Sequence, residues 1–156
     1  QHFGVPLSSA MRRMAELPLI EGVPKLGMVS CDASGTLIFR KAIDGFALPR
    51  FGAACPKWPL FQALSRPMLP ICRVIQQQVR GEQLFRAYAI AEPVSAPDFA
   101  QDPLFQAHML IVPLDRSVPR SPATGPVAEQ LGVSCRICPR EDCIGRREPS
   151  ILTDGF

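Results

Sequence analysis

Three cysteines lie within nine residues of one stretch, Ser134-Cys135-Arg136-Ile137-Cys138-Pro139-Arg140-Glu141-Asp142-Cys143, in a chain that has six in all. Thiolates are soft donors, and a CxxC turn is tight enough for two of them to meet one metal centre. Cys135, Cys138 and Cys143 therefore offer three ligands from one loop, for zinc or for an iron–sulfur cluster. A fourth ligand is needed, and Cys55 is best placed to supply it. In "FGAACPKW" it is followed by Pro56, as Cys138 is followed by Pro139. A proline after the ligand fixes the backbone and brings no N–H of its own. Spacing leaves the metal open, although zinc sites usually come as two CxxC-type knuckles and the second is missing. Disulfides are the competing use, but 156 residues with 47% apolar content need no such staples. Cys31 and Cys72 fall in apolar, strand-like runs and read as ordinary buried thiols.

The remaining chemistry is that of charge. From Arg40 to Arg80 there are seven bases (Arg40, Lys41, Arg50, Lys57, Arg66, Arg73, Arg80) and one acid, Asp44; against +3 overall, the rest of the chain carries −3. Such a segment suits an anionic ligand, its plainer use being a solvated positive face. Arg40, Lys57 and Arg66 are the candidates it supplies. Arg86 and Tyr88 share one side of an otherwise apolar strand, where they could orient an acyl or phosphate group. The two histidines, His2 and His108, are too few for a catalytic or metal constellation, and Glu141-Asp142 reads as a charged surface turn. The chain has no GxSxG, HExxH, GxGxxG or GxxxxGK[ST] motif, so nothing supports an enzyme.

The elements that must position these residues are short, because 17 prolines punctuate the chain. Ser8 or Ser9 can cap a first helix whose apolar stripe is Met11, Met14, Ala15 and Leu17, and Pro18 ends it. Leu26 to Cys31 and Thr36 to Arg40 form a hairpin about Asp32-Ala33-Ser34-Gly35. After a proline-rich loop to Lys57, Trp58 to Ser65 reads as a short helix with Pro59 in its first turn. Cys72 to Val79 and Gln83 to Glu92 pair through Arg80-Gly81; in the second, Phe85, Ala87, Ala89 and Ala91 share a face opposite Leu84, Arg86, Tyr88 and Ile90. Ala107 to Leu114 adds a strand, Asp115 to Pro126 is irregular, and Val127 to Leu131 reads as one helical turn. The sum is an α+β domain with about five largely antiparallel strands and short helices. The start at Gln1, with no signal pattern, reads as a soluble fragment cut from a longer protein, with no membrane partner and a cytoplasmic setting.

Two segments carry a family resemblance. "RFGAACPKWPLFQALSRP" (Arg50 to Pro67) and "GVSCRICPREDCIGRREP" (Gly132 to Pro149) resemble the short-chain fatty acyl transcriptional regulators, bacterial regulators of propionate, glyoxylate and acetate metabolism. The shared blocks are Cys55-Pro56-Lys57-Trp58-Pro59-Leu60-Phe61 and Cys135 to Cys143 followed by Arg146, and the likeness extends over roughly Leu26 to Pro149. It implies a GAF-like sensing domain over 21–156, with a cysteine-rich C-terminal tail, and residues 1–20 as the last helix of an upstream region. It implies short-chain acyl-CoA as ligand, a 4Fe–4S cluster on Cys55, Cys135, Cys138 and Cys143, and a DNA-binding helix-turn-helix elsewhere in the protein; a homo-oligomer is expected as well. The alternative is a zinc-stabilised module for protein interaction or oligomerisation.

Overall fold

The structure, a computed structural model, describes residues 4–18, 21–77, 83–96, 98–114 and 127–152. Its centre is one mixed sheet. The strands are β1 (Gly27–Cys31), β2 (Leu37–Lys41), β3 (Ile71–Gln77), β4 (Leu84–Pro93), β5 (Phe105–Pro113) and β6 (Glu129–Leu131), in the order β2-β1-β5-β4-β3-β6. Helix α1 (Leu7–Glu16) covers one face, and the six-residue α2 (Pro59–Leu64) covers the other.

Neighbouring strands pair antiparallel until the last, where β6 runs parallel to β3 with Ile75 opposite Glu129 and Gln77 opposite Leu131. The expected helical turn over Val127 to Leu131 is thus replaced by a sixth strand. Three residues carry no period of their own, so the ladder to Ile75–Gln77 decides their conformation. β1 is buried at all five positions, because it has a partner on each edge and packing on each face. Its first residue is glycine for a steric reason: a Cβ on Gly27 would meet Cγ2 of Ile43 at 2.7 Å. The turn out of β1 follows expectation. Asp32 Oδ1 accepts the amides of Ser34 at 2.9 Å and Thr36 at 3.1 Å, and Gly35 takes a φ of 84°.

Along β4 the side chains divide between two cores. Phe85, Ala87, Ala89 and Ala91 join Val29, Cys31, Met109 and Ile111 beneath α2, around Trp58 and Leu60. The small alanines let α2 lie close to the sheet, while Phe46 packs edge-on against Phe85 at 5.5 Å. On the other face Ile90, Leu110 and Met28 receive Met11 and Ala15 of α1.

Several expectations need correction. Neither Ser8 nor Ser9 caps α1: Pro6 stands at the cap, and the Glu92 carboxylate of β4 accepts the amides of Leu7 and Ser8. Met14 and Leu17 stay largely exposed and leave the stripe to Met11 and Ala15. Cys72 is exposed, not buried, because it faces the α1 side of β3 where the helix does not reach. The Arg80-Gly81 turn and the irregular stretch Asp115 to Pro126 lie outside the described residues.

Candidate functional site

The loop before α2 and the segment after β6 are stitched together. Cys55 donates its amide to the Val133 carbonyl at 2.9 Å, and Trp58 donates Nε1–H to the Gly132 carbonyl at 2.9 Å. Trp58 is fully buried, so this bond anchors the C-terminal segment from inside the core. Lys57 pairs with Glu129 at 3.5 Å on the rim. The sequence therefore folds Cys55, about eighty residues upstream, against the cysteine loop.

Within that loop, Cys135–Ile137 forms a single 3-10 turn, closed by the Cys138 amide on the Cys135 carbonyl at 3.2 Å. Arg146 then ties the loop shut. Its guanidinium donates to the carbonyls of Cys135 (3.5 Å), Cys138 (3.4 Å), Glu148 (3.3 Å) and Arg140. Five donors in a rigid fork suit arginine to this task, and lysine could not reproduce it. Sequence reasoning quoted Arg146 only as part of a motif; the carbonyl knot it makes has no local signal.

Cys55, Cys135 and Cys138 are buried and Cys143 is half-buried at the edge; all six cysteines of the chain are free thiols. Gly132 backs this group, since a Cβ there would lie 3.3 Å from Cys138 Sγ. The Cys55 thiol is pushed above its ordinary pKa chiefly by burial, and the neighbouring sulfurs of Cys135 and Cys138 push the same way. Amides of Lys57 and Gly132 act against this by hydrogen bonding to Cys55, and Arg147 N–H lies 3.5 Å from Cys135 Sγ. Amides aimed at sulfur favour the thiolate, the form that binds metal. Among the described residues, however, no three His, Cys, Asp or Glu side chains form a group that could hold a metal ion as they stand. Cys55 thus lies beside Cys135 and Cys138, brought together from two segments, without closing into a coordination sphere.

Beside this clasp is a cavity of about 580 Å³ lined by Leu48, Arg50, Phe51, Ser134, Arg136 and Ile137, among others. Arg50 belongs to the basic segment and Arg136 to the CxxC turn, but neither was singled out from sequence, because their convergence depends on the clasp. A second cavity of about 580 Å³ is strongly apolar and lies between α1 and the sheet, walled by Leu7, Met11, Met14, Tyr88, Leu110 and Val112 with others.

The five candidate ligand contacts divide between the two faces of the sheet. Tyr88 stands in the wall of the apolar cavity, with Arg86 two residues back on the same face, opposite Val74 and Val112. Arg40, exposed on β2, reaches the Pro49 carbonyl at 3.5 Å; Lys57 sits in the clasp; Arg66 is exposed just past α2. His108 pairs across the sheet with Ser30. Its Nδ1 is 2.9 Å from Ser30 Oγ, and burial, with a lesser contribution from Arg12, holds its pKa down against the pull of Glu92.

Residues 16–112 match the family described as short-chain fatty acyl coenzyme A regulator, C-terminal. The chain belongs to this family. It is 29% identical over 157 residues to the propionyl-CoA carboxylase regulator of Cereibacter sphaeroides, covering 96% of this chain and 33% of that one. It is 24% identical over 161 residues to the HTH-type transcriptional regulator RamB of Mycobacterium tuberculosis, with the same two coverages. A solved Mycobacterium tuberculosis transcriptional regulator shares the fold with a TM-score of 0.73 at 22% identity, over 95% of this chain and 46% of that one. The chain thus spans about a third of the length of these curated relatives, 33% in each case. Both are named as regulators, not as enzymes. Among the described residues, no helix is long and apolar enough to cross a membrane.

Proposed function

We propose that this chain is the ligand-sensing, GAF-like C-terminal domain of a helix-turn-helix transcriptional regulator, that it binds short-chain acyl-CoA, and that its cysteine-rich tail holds a 4Fe–4S cluster. α1 would then be the end of the upstream region, and a DNA-binding module would lie outside these residues. The observation that carries the ligand reading is the apolar cavity under α1. At about 580 Å³ it is large enough for a small acyl group, and Tyr88 brings a hydroxyl to its wall. Arg86 follows on the same face for a carbonyl or phosphate, while Arg50 and Arg136 offer cationic sites beside the clasp. Titration calorimetry with propionyl-CoA should give saturable heat and a rise in melting temperature, and Tyr88→Phe should weaken both. No heat and no thermal shift in the wild-type chain would sink this reading.

The metal reading rests on donor chemistry. Cys55, Cys135, Cys138 and Cys143 supply four soft ligands, three of them buried, with amides directed at Cys55 and Cys135. A cluster bound there would cross-link the loop before α2 to the C-terminal segment. The chain's own contribution is to aim amides at Cys55 and Cys135, keep water from three of the sulfurs, and fix the loop through Arg146. Anaerobic purification should yield iron, sulfide and the broad visible absorbance of a cluster, all lost in Cys138→Ser. The second reading, a zinc-stabilised interaction module, is favoured by Phe51 and Ile144, 90% and 105% exposed beside the clasp. Stoichiometric zinc without visible absorbance would select it.

A further inference from the structure

Helix α1 meets the sheet through few contacts. Met11 and Ala15 are its buried residues, while Leu7 and Met14 remain 44% and 48% exposed. A surface helix ordinarily buries three or four apolar residues in every two turns, so this one is under-packed. The apolar cavity of about 580 Å³ opens beside it and a smaller one of about 310 Å³ lies toward its C-terminal end, with Met14, Val23, Pro24 and Leu26 bordering both. Besides Met11 and Ala15 in the core, polar contacts at its two ends hold the helix down. Glu92 of β4 accepts the Leu7 and Ser8 amides at 3.0 Å each, and Lys41 of β2 donates to the Ala15 carbonyl. An anion at the N-terminus and a cation at the C-terminus both match the helix dipole. Arg12 adds one lateral contact, 4.4 Å above the Phe39 ring.

We propose that α1 is a separately movable strap, held on the sheet by Glu92 and Lys41 and lifted when an apolar group fills the cavity beneath it. One wall of that cavity is the helix itself, through Met11 and Met14; the other is the sheet, through Tyr88, Leu110 and Val112. A filler wider than the gap prefers the lifted helix, and such a difference in affinity is what shifts a two-state equilibrium. Only the natural identity of the filler rests on the acyl-CoA reading above; the two clamps and the under-packed helix stand on their own.

Hydrogen exchange on the whole chain tests this. The α1 amides should exchange faster than those of β4 and β5. Glu92→Gln should raise α1 exchange about fivefold, the scale of a lost helix cap, and leave β4 and β5 unchanged; Lys41→Met should act in the same direction. Val112→Phe adds bulk from the sheet side, stands in for a ligand, and should loosen α1 with no acyl-CoA present. Propionyl-CoA should do the same to the wild-type chain. Exchange of α1 in step with β4 and β5, in wild type and all three variants, would overturn the strap. Binding heat without any change in α1 would overturn its coupling to ligand. Loosening by Val112→Phe with no propionyl-CoA heat would support the strap and reject acyl-CoA as its filler.

Discussion

Trp58 carries the core and the clasp with one side chain. Its ring lies 5.2 Å from that of Phe46 at 54°, while its N–H serves the Gly132 carbonyl in the interior. Trp58→Phe keeps most of the apolar surface and orphans that carbonyl, so it should cost about 1–3 kcal/mol, read as a lower midpoint in urea unfolding. His108 makes a prediction of another kind. Its folded pKa lies below its ordinary 6.5, mainly through burial. Below that ordinary value the unfolded chain takes up a proton that the folded chain resists, so stability falls as pH drops from 6.5 and levels off once the lower folded pKa is passed. Melting temperatures measured from pH 8 downward should show that loss beginning near pH 6.5, and His108→Gln should flatten it. At this scale the cysteines were the most legible residues. Type, spacing and the prolines after Cys55 and Cys138 marked them out, and the structure sets Cys55 beside Cys135 and Cys138. Cys72 misled because its alternation with Ile71 reads as strand burial, and only the limited reach of α1 leaves it in water.

Elements whose period is carried by their own residues were readable: the β4 alternation, the Asp32–Gly35 turn, and the Pro59 start of α2. Elements defined by distant partners were not. β6 is three residues long and owes its form to β3, with Gln130 Nε2 donating to Gln76 Oε1 at 2.7 Å across 54 residues. The cap of α1 comes from Glu92, more than eighty residues on, as the separations of 85 and 84 show. The short turn between β6 and the cysteines yields its own prediction. Gly132→Ala would place a methyl carbon 3.3 Å from Cys138 Sγ, and the sulfur must give way by a few tenths of an ångström. The variant should keep the far-ultraviolet spectrum of the wild type and lose more than half of its bound iron or zinc under anaerobic preparation. Full metal retention would show that the Cys138 position tolerates the shift.

For the molecule as a whole, the clasp and the sheet should prove unequal in their dependence on metal. β1, β5, β4 and β3 are joined by long antiparallel ladders above two apolar cores, and neither core includes Cys138 or Cys143. Chelation is therefore expected to speed exchange at the Cys55 and Ile151 amides, which bind Val133 and Arg136, while the β4–β5 amides stay protected. Simultaneous loss of protection everywhere would mean that the metal holds the entire fold. The parallel seam between β3 and β6 has one more consequence, which concerns the order in which a ribosome delivers the chain. Ile71–Gln77 emerges well before Glu129–Leu131, so for that interval the outer edge of β3 is an open ladder, the kind of edge on which nascent chains associate wrongly. Gln77 ties the end of this strand to residues already made: its side-chain amide accepts the Ala47 N–H at 2.6 Å and donates to the Ala47 carbonyl at 3.0 Å. A chain carrying Gln77→Ala should therefore aggregate during synthesis more than its measured loss of stability would explain.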